Sequence, residues 1–248
     1  MNYKKSRELG SKTSKDGFKN ENDIINKFNN WQSDEDAKKW LLIMQYKLNE
    51  IEYVKAIKIS GEKTDVQIQI TIKLKKAICA ENLQVKLVSN KKGFNQIDKR
   101  WLKNYDLLWN IPKSVYELLQ HYTGEVPPKI TSPKDKRRMF ANEFFQNEQE
   151  LLKNFLTTNK TMIISDILKG RGRFSAEWML VIRKLKENTD WVLKPMNFVL
   201  NYYTGDVEIT KQGNFKIGKI TMQRKGGDNG RETAKMLQFK INPAELFE

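Results

Sequence analysis

Asp65-Val66-Gln67-Ile68-Gln69-Ile70-Thr71-Ile72-Lys73-Leu74 alternates polar and apolar residues with a period of two, and Leu83-Gln84-Val85-Lys86-Leu87-Val88 repeats the pattern a short stretch later. Such alternation marks strands with one face turned to a core. If the two runs lie side by side, Asp65 meets Gln84 and Lys86, because residues two apart on a strand share a face. A carboxylate, an amide oxygen and an ammonium at one spot suit metal-assisted cleavage of a phosphodiester. The carboxylate and the amide are hard oxygen ligands for Mg²⁺. The lysine can hold or activate the attacking water and offset developing negative charge. Charged residues on a strand can equally be no more than its solvated face, and the spacing alone does not separate the two readings.

Outward from this pair, the pattern predicts a helix over 20–31 after a frayed polar start, then a second helix carrying Ala37, Trp40, Leu41, Met44 and Leu48, with Ser33 as N-cap and Asp36 as its capping-box partner. A strand is expected over 54–59, and a basic loop over 90–96. Helices are expected over 98–109, 115–122 and 134–157, with a break at Val126-Pro127-Pro128. The final third reads as short strands at 162–164, 178–182, 191–193, 215–224 and 236–241. No repeat or low-complexity linker interrupts the chain, so residues 1–248 are expected to form one domain. The mixture points to an α/β fold, a central mixed sheet flanked by helices.

Composition narrows the chemistry. The 248 residues include 45 Lys+Arg against 30 Asp+Glu, a formal net charge of +15. Such an excess implies a polyanionic partner, here nucleic acid rather than a membrane. No apolar run approaches the roughly 18–20 residues of a membrane span. The basic N-terminus lacks an apolar signal core, so a cytoplasmic protein is expected. One cysteine, Cys79, excludes an intramolecular disulfide and any cysteine-based zinc site. One histidine, His121, excludes a His-rich metal site and reads as a helix-end residue. There is no Walker-type phosphate loop. Catalysis must therefore rest on carboxylates, amides, lysines and a borrowed metal ion.

Further segments carry candidate roles. Glu21 on the first helix is either an addition to a metal shell or a solvated first-turn acid. Lys91, Lys92, Asn95, Gln96, Lys99 and Arg100 follow the second strand directly. There they can hold phosphates and approach base steps, or form a solvated loop. Lys169-Gly170-Arg171-Gly172-Arg173 suits phosphate contact. Gln223-Arg224-Lys225-Gly226-Gly227-Asp228-Asn229-Gly230-Arg231-Glu232-Thr233 mixes donors for guanine with acceptors for cytosine on a backbone that glycine lets come close. It is either a reader of G·C-rich sequence or a solvated hairpin turn. Lys134-Asp135-Lys136-Arg137-Arg138 reads as backbone contact or surface charge.

Long blocks of the chain resemble the HinP-type type II restriction endonucleases. They are Gly10 to Thr13, Lys15 to Glu21, Gln84 to Asn90, Gly93 to Lys99, Lys134 to Phe140, Arg224 to Ala234 and Met236 to Ile241. The resemblance implies a Mg²⁺-dependent nuclease of PD-(D/E)xK type that recognises duplex GCGC and cuts after the first G, leaving a two-base 5′ overhang. It puts the family's catalytic aspartate on Asp65, its unusual glutamine on Gln84, its catalytic lysine on Lys86 and a further active-site lysine on Lys99. Metal ligation falls to Asp65, Gln84 and the Val85 carbonyl, and a DNA-distorting loop falls on Gln96 and its neighbours. The family's serine before the aspartate is Thr64 here, which keeps the hydroxyl. The basic extension through Arg7 departs from the family pattern. A companion cytosine methyltransferase is implied, and both a homodimer and successive nicking by a monomer fit a palindromic site. A DNA-binding protein that has lost cleavage and a structure-specific repair nuclease remain the alternatives.

Overall fold

Two interleaved units organise the chain: residues 1–93, 169–199 and 242–248 form the first, and 94–168 with 200–241 form the second. The computed structural model describes residues 3–72, 77–90, 93–185, 188–227 and 231–248, with backbone alone at 3–14, 71, 72 and 77.

The first unit is built on a five-stranded sheet of β1 (Ile51–Lys58), β2 (Val66–Ile72), β3 (Ala77–Val88), β5 (Trp178–Leu185) and β6 (Asn188–Pro195), in that spatial order. β3 and β5 run parallel and the other neighbours antiparallel, so the sheet is mixed, as the α/β reading requires. The alternation of β2 is realised: Val66, Ile68 and Ile70 are fully buried, while Gln67 and Gln69 lie on the other face and are part-exposed. On β3 the run Asn82-Leu83-Gln84-Val85 is buried throughout, as befits a central strand covered on both faces. Helices α1 (Tyr3–Asn29) and α2 (Glu35–Ile43) supply the apolar cover. Ile24, Phe28, Trp40 and Leu41 enter one core with Val54, Ile68, Ile70, Leu180 and Ile182. Asn29 ties helix to sheet by accepting the Ala56 N–H at 2.8 Å.

The second unit carries an antiparallel sheet, β4 (Asn95–Arg100), β10 (Leu237–Ile241), β9 (Ile220–Arg224), β8 (Phe215–Ile217) and β7 (Val207–Ile209). Helices α3 (Leu102–Trp109), α4 (Lys113–Thr123), α5 (Gln146–Thr158) and α6 (Lys160–Leu168) belong to this unit. His121 lies in the last turn of α4, where Nδ1–H donates to the Pro127 carbonyl at 2.6 Å.

Several boundaries differ from the sequence reading, each for a physical reason. α1 begins at Tyr3 rather than near Asn20, because the Lys, Arg and Glu of its first half are strong helix formers and outweigh Gly10 and Gly17. The cap of α2 is Asp34, whose Oδ1 accepts the Ala37 N–H at 2.9 Å. Asp36 cannot close a capping box because Lys27 and Trp191 engage its carboxylate. Residues 95–100 form a strand instead of a loop and helix start, since pairing with β10 overrides local preference. The long helix expected from Lys134 starts only at Gln146. Upstream, Glu143 accepts the Lys134 and Phe140 N–H groups, while Met139 and Ala141 donate to His121 and Gly213. The apolar run at 162–164 is helical, with Ile163, Ile164 and Ile167 buried at helical spacing. Residues 215–224 split into the β8–β9 hairpin around Gly218, whose φ of +56° and close approach to Thr204 exclude a side chain. Helix α7 (Met196–Tyr203) had no sequence signal strong enough to separate it from the strand before it.

Candidate active site

Asp65 stands one residue ahead of β2, and backbone bonds hold it in the ladder. Its N–H donates to Leu83 O at 2.8 Å, and its carbonyl accepts the Ile59 N–H at 3.0 Å. Val66 is paired with Leu83, so Asp65 comes level with Gln84. Beyond the end of β2 the Val85 N–H has no strand partner on that side, and it donates to Asp65 Oδ2 at 2.6 Å. The same oxygen lies 3.9 Å from Lys86 Nζ. Both side chains are mostly sheltered, with 25% of Asp65 and 16% of Lys86 exposed. Gln84 is 2% exposed, and its Oε1 is buried without a hydrogen-bond partner among the described residues. The strand register thus sets Asp65 level with Gln84, and the Asp65 carboxylate comes close to the Lys86 ammonium.

An acceptor oxygen left unanswered in a buried place calls for a missing donor or a cation. The Asp65 carboxylate and the Gln84 amide oxygen are hard ligands of the kind Mg²⁺ takes. Among the described residues no group of three or more His, Cys, Asp or Glu side chains forms a metal site, so a cation here would meet one carboxylate and neutral oxygens. The residues present fit a hard divalent ion.

The glycine-rich basic segment is fastened beside this centre. A 3-10 turn, Gly172–Phe174, follows Gly170, whose φ is +78°. Thr64, fully buried, donates its hydroxyl to Phe174 O at 2.7 Å. Asn82 Nδ2 donates to the carbonyls of Arg173 and Ser175, at 2.9 and 3.1 Å. Glu177 accepts the Asn82 N–H at 3.1 Å. Residues flanking Asp65 and Gln84 therefore set the position of Arg171 and Arg173, both solvent-exposed. Sequence reasoning missed Asn82 and Glu177. Their only signal was a polar residue at the mouth of an apolar strand.

Glu21 pairs with Lys58 at 2.7 Å and is 17% exposed. Lys99, Asn95 and Gln96 lie on β4 of the second unit, where Gln96 Oε1 accepts from Gln238 Nε2 at 2.7 Å and Lys99 is opposite Gln238. Arg224 ends β9 and is 9% exposed, followed by Lys225 and by Gly226 and Gly227 at φ +63° and +64°. Arg231 is exposed. Lys91, Lys92, Asp228 and Asn229 lie outside the described residues.

A helix-flanked mixed sheet carrying an acid, an amide oxygen and a lysine has the make-up of a restriction-endonuclease-like nuclease. The R.HinP1I restriction endonuclease family model matches residues 44–247, and the chain belongs to that family. It is accordingly a site-specific deoxyribonuclease of type II. The match includes Asp65, Gln84 and Lys86 and leaves Glu21 outside. Among solved structures the chain is similar to the restriction endonuclease MspI in complex with its cognate DNA, with a TM-score of 0.65 and 16% identity over 94% of this chain and 92% of that one. At that identity the likeness speaks for the fold. No curated protein sequence matches. Among the described residues no helix is long and apolar enough to cross a membrane.

Proposed function

We propose that the chain hydrolyses double-stranded DNA at GCGC in a Mg²⁺-dependent reaction, cutting after the first G to leave a two-base 5′ overhang. The observation that carries the chemistry is the Lys86 ammonium 3.9 Å from the Asp65 carboxylate, with the unanswered Gln84 oxygen on the residue level with Asp65. The specificity rests on the sequence blocks that resemble the HinP-type enzymes.

Asp65, the Gln84 side-chain oxygen and the Val85 carbonyl would hold Mg²⁺. When bound, the ion supplies Lewis acidity at the scissile phosphate and lowers the pKa of a water. The Val85 N–H fixes Asp65 in one orientation, so its carboxylate is pre-set for its task. Lys86, sheltered and near Asp65, orients the attacking water and stabilises charge on the phosphate oxygens. Arg171 and Arg173 engage backbone phosphates from their fastened turn. Asn95, Gln96, Lys91, Lys92 and Lys99 are assigned to DNA contact, with Lys99 and Glu21 as further candidates for the reaction itself. The segment with Lys225, Asp228, Asn229 and Arg231 is assigned to sequence recognition, and Arg224 beside it to DNA contact. A neutral glutamine where a second acid would bind metal more tightly predicts saturation at millimolar Mg²⁺. Saturation at low micromolar Mg²⁺ counts against this ligand set.

A self-cutting nuclease requires a companion cytosine methyltransferase, and the palindrome admits a homodimer. The test is digestion of a fully sequenced plasmid with purified protein and Mg²⁺, followed by mapping of the ends. Discrete GCGC cuts with the stated overhang support the reading. Binding without cleavage favours an inactive DNA-binding protein, cutting governed by DNA shape favours a repair nuclease, and cuts at another sequence overturn the specificity.

A further inference from the structure

Within the second unit a cavity of about 270 Å³ is lined by Asp135, Arg137, Arg138, Arg224, Arg231 and Lys235. Asp135 is the one carboxylate among the described lining residues, and Arg137 engages both its oxygens, each at 2.9 Å. Lys235 is paired with Glu232 at 2.8 Å. Arg138 and Arg224 are different: Arg138 Nη1 and Arg224 Nε are buried and have no hydrogen-bond partner among the described residues. Arg138 is nevertheless held in place, its guanidinium 4.0 Å from the Phe140 ring centroid and 5.8 Å from that of Tyr122. Burial presses the pKa of both arginines down, the charges of Arg137 and Arg138 press Arg224 further, and the attraction of Asp135 offsets this only in part.

Uncompensated charge taken out of water is destabilising unless something answers it. A base edge would offer acceptor atoms but no charge, and the mutual repulsion of the arginines would persist. A tetrahedral oxyanion supplies acceptors and charge together, and the planar guanidinium fork suits it. At the rim, Gly226 and Gly227 have open space where a side chain would stand, so a bulky ligand can come close to the backbone.

We propose that this pocket grips a phosphate of the DNA backbone through Arg138 and Arg224. Arg224 then positions the duplex, and its neighbours read the sequence. The choice of DNA as the source of the phosphate rests on the endonuclease reading, whereas the oxyanion chemistry does not.

Two arms test it. First, the melting temperature of the parent protein is followed against inorganic phosphate and against chloride at matched ionic strength. Phosphate should stabilise beyond chloride, and Arg224→Gln should lose that increment. No increment in the parent, or an increment kept in the variant, overturns the pocket. The parent's own titration stands even if a variant fails to fold, and it is unaffected if plasmid digestion finds no cutting at GCGC. Second, metal-free binding to a GCGC duplex and to a scrambled duplex is measured across a salt series. Arg138→Gln and Arg224→Gln should each weaken both duplexes alike, by roughly tenfold or more, and reduce the salt slope by about one. Weakening confined to the GCGC duplex at an unchanged slope would make these arginines base readers. Lost phosphate binding with unchanged DNA affinity would make this a site for free phosphate. Either result overturns the assignment.

Discussion

Replacing Gln84 by methionine removes an acceptor that the fold leaves unanswered. Gln84 is 2% exposed and its Oε1 has no hydrogen-bond partner among the described residues. An unsatisfied buried polar group costs about 1–3 kcal/mol. The thioether is similar in length and adapts to irregular space, so little is lost in packing. Metal-free Gln84→Met should therefore be more stable than the parent by about 1–3 kcal/mol, with roughly 2–4 °C in melting temperature for each kcal/mol in a chain of this size. The variant also lacks one of the oxygens assigned to Mg²⁺. A ligand present at a hundredfold excess over its Kd stabilises the folded state by about 2.7 kcal/mol. That increment should appear in the parent and shrink sharply in the variant, together with cleavage. Thermal unfolding followed by circular dichroism, in EDTA and then in millimolar Mg²⁺, reads both effects, with plasmid cutting measured in parallel. A lower metal-free melting temperature would give the Gln84 amide a structural role and refute the argument from its missing partner. An undiminished Mg²⁺ increment would remove Gln84 from the metal site.

Asp65→Ala should reduce cleavage by at least about 10²–10³-fold while leaving specific binding in a gel-shift assay, and retained cutting would sink the site assignment. Lys225→Ala should weaken the preference for GCGC by about 1–3 kcal/mol per lost base contact, read as the ratio of affinities for cognate and scrambled duplexes. An unchanged ratio rules out Lys225 as a reader. Thr64→Val deletes the buried hydroxyl that bonds Phe174 O. The orphaned carbonyl should destabilise the protein by about 1–3 kcal/mol, seen as a lower urea midpoint at constant slope, and an unmoved midpoint would show that the turn holds without it. Burial works against the Asp36 carboxylate, but hydrogen bonds from Lys27 and Trp191 outweigh it, and its pKa in the folded state lies below the usual value. A depressed carboxylate stabilises fully above its unfolded pKa and loses that contribution as pH falls through the folded one. Asp36→Asn should accordingly flatten the acid limb of urea stability below about pH 4; an acid limb as steep as the parent's would deny the pairing any weight.

The sequence by itself determined the two alternating strands and which of their side chains share a face. Period two is a local property of the backbone, so Val66, Ile68 and Ile70 had to share a face, and Gln84 with Lys86 had to share another. The charge excess, the single cysteine and the single histidine bounded the chemistry just as directly. Only the tertiary structure decided the rest. The segment 95–100 became a strand because residues at 237–241, far along the chain, pair with it. The helix at 160–168 formed despite its β-branched residues because Ile163, Ile164, Ile167 and Leu168 are all buried in the fold. Asp34 rather than Ser33 caps α2 because Lys27 and Trp191 hold Asp36. Asn82 and Glu177 fasten the Arg171–Arg173 turn through bonds spanning some ninety residues. Arg138 and Arg224 share a pocket although neither carries a local sign of it. Contacts between residues so distant in sequence leave no periodic trace in the chain, since the packing that joins them is a property of the folded whole.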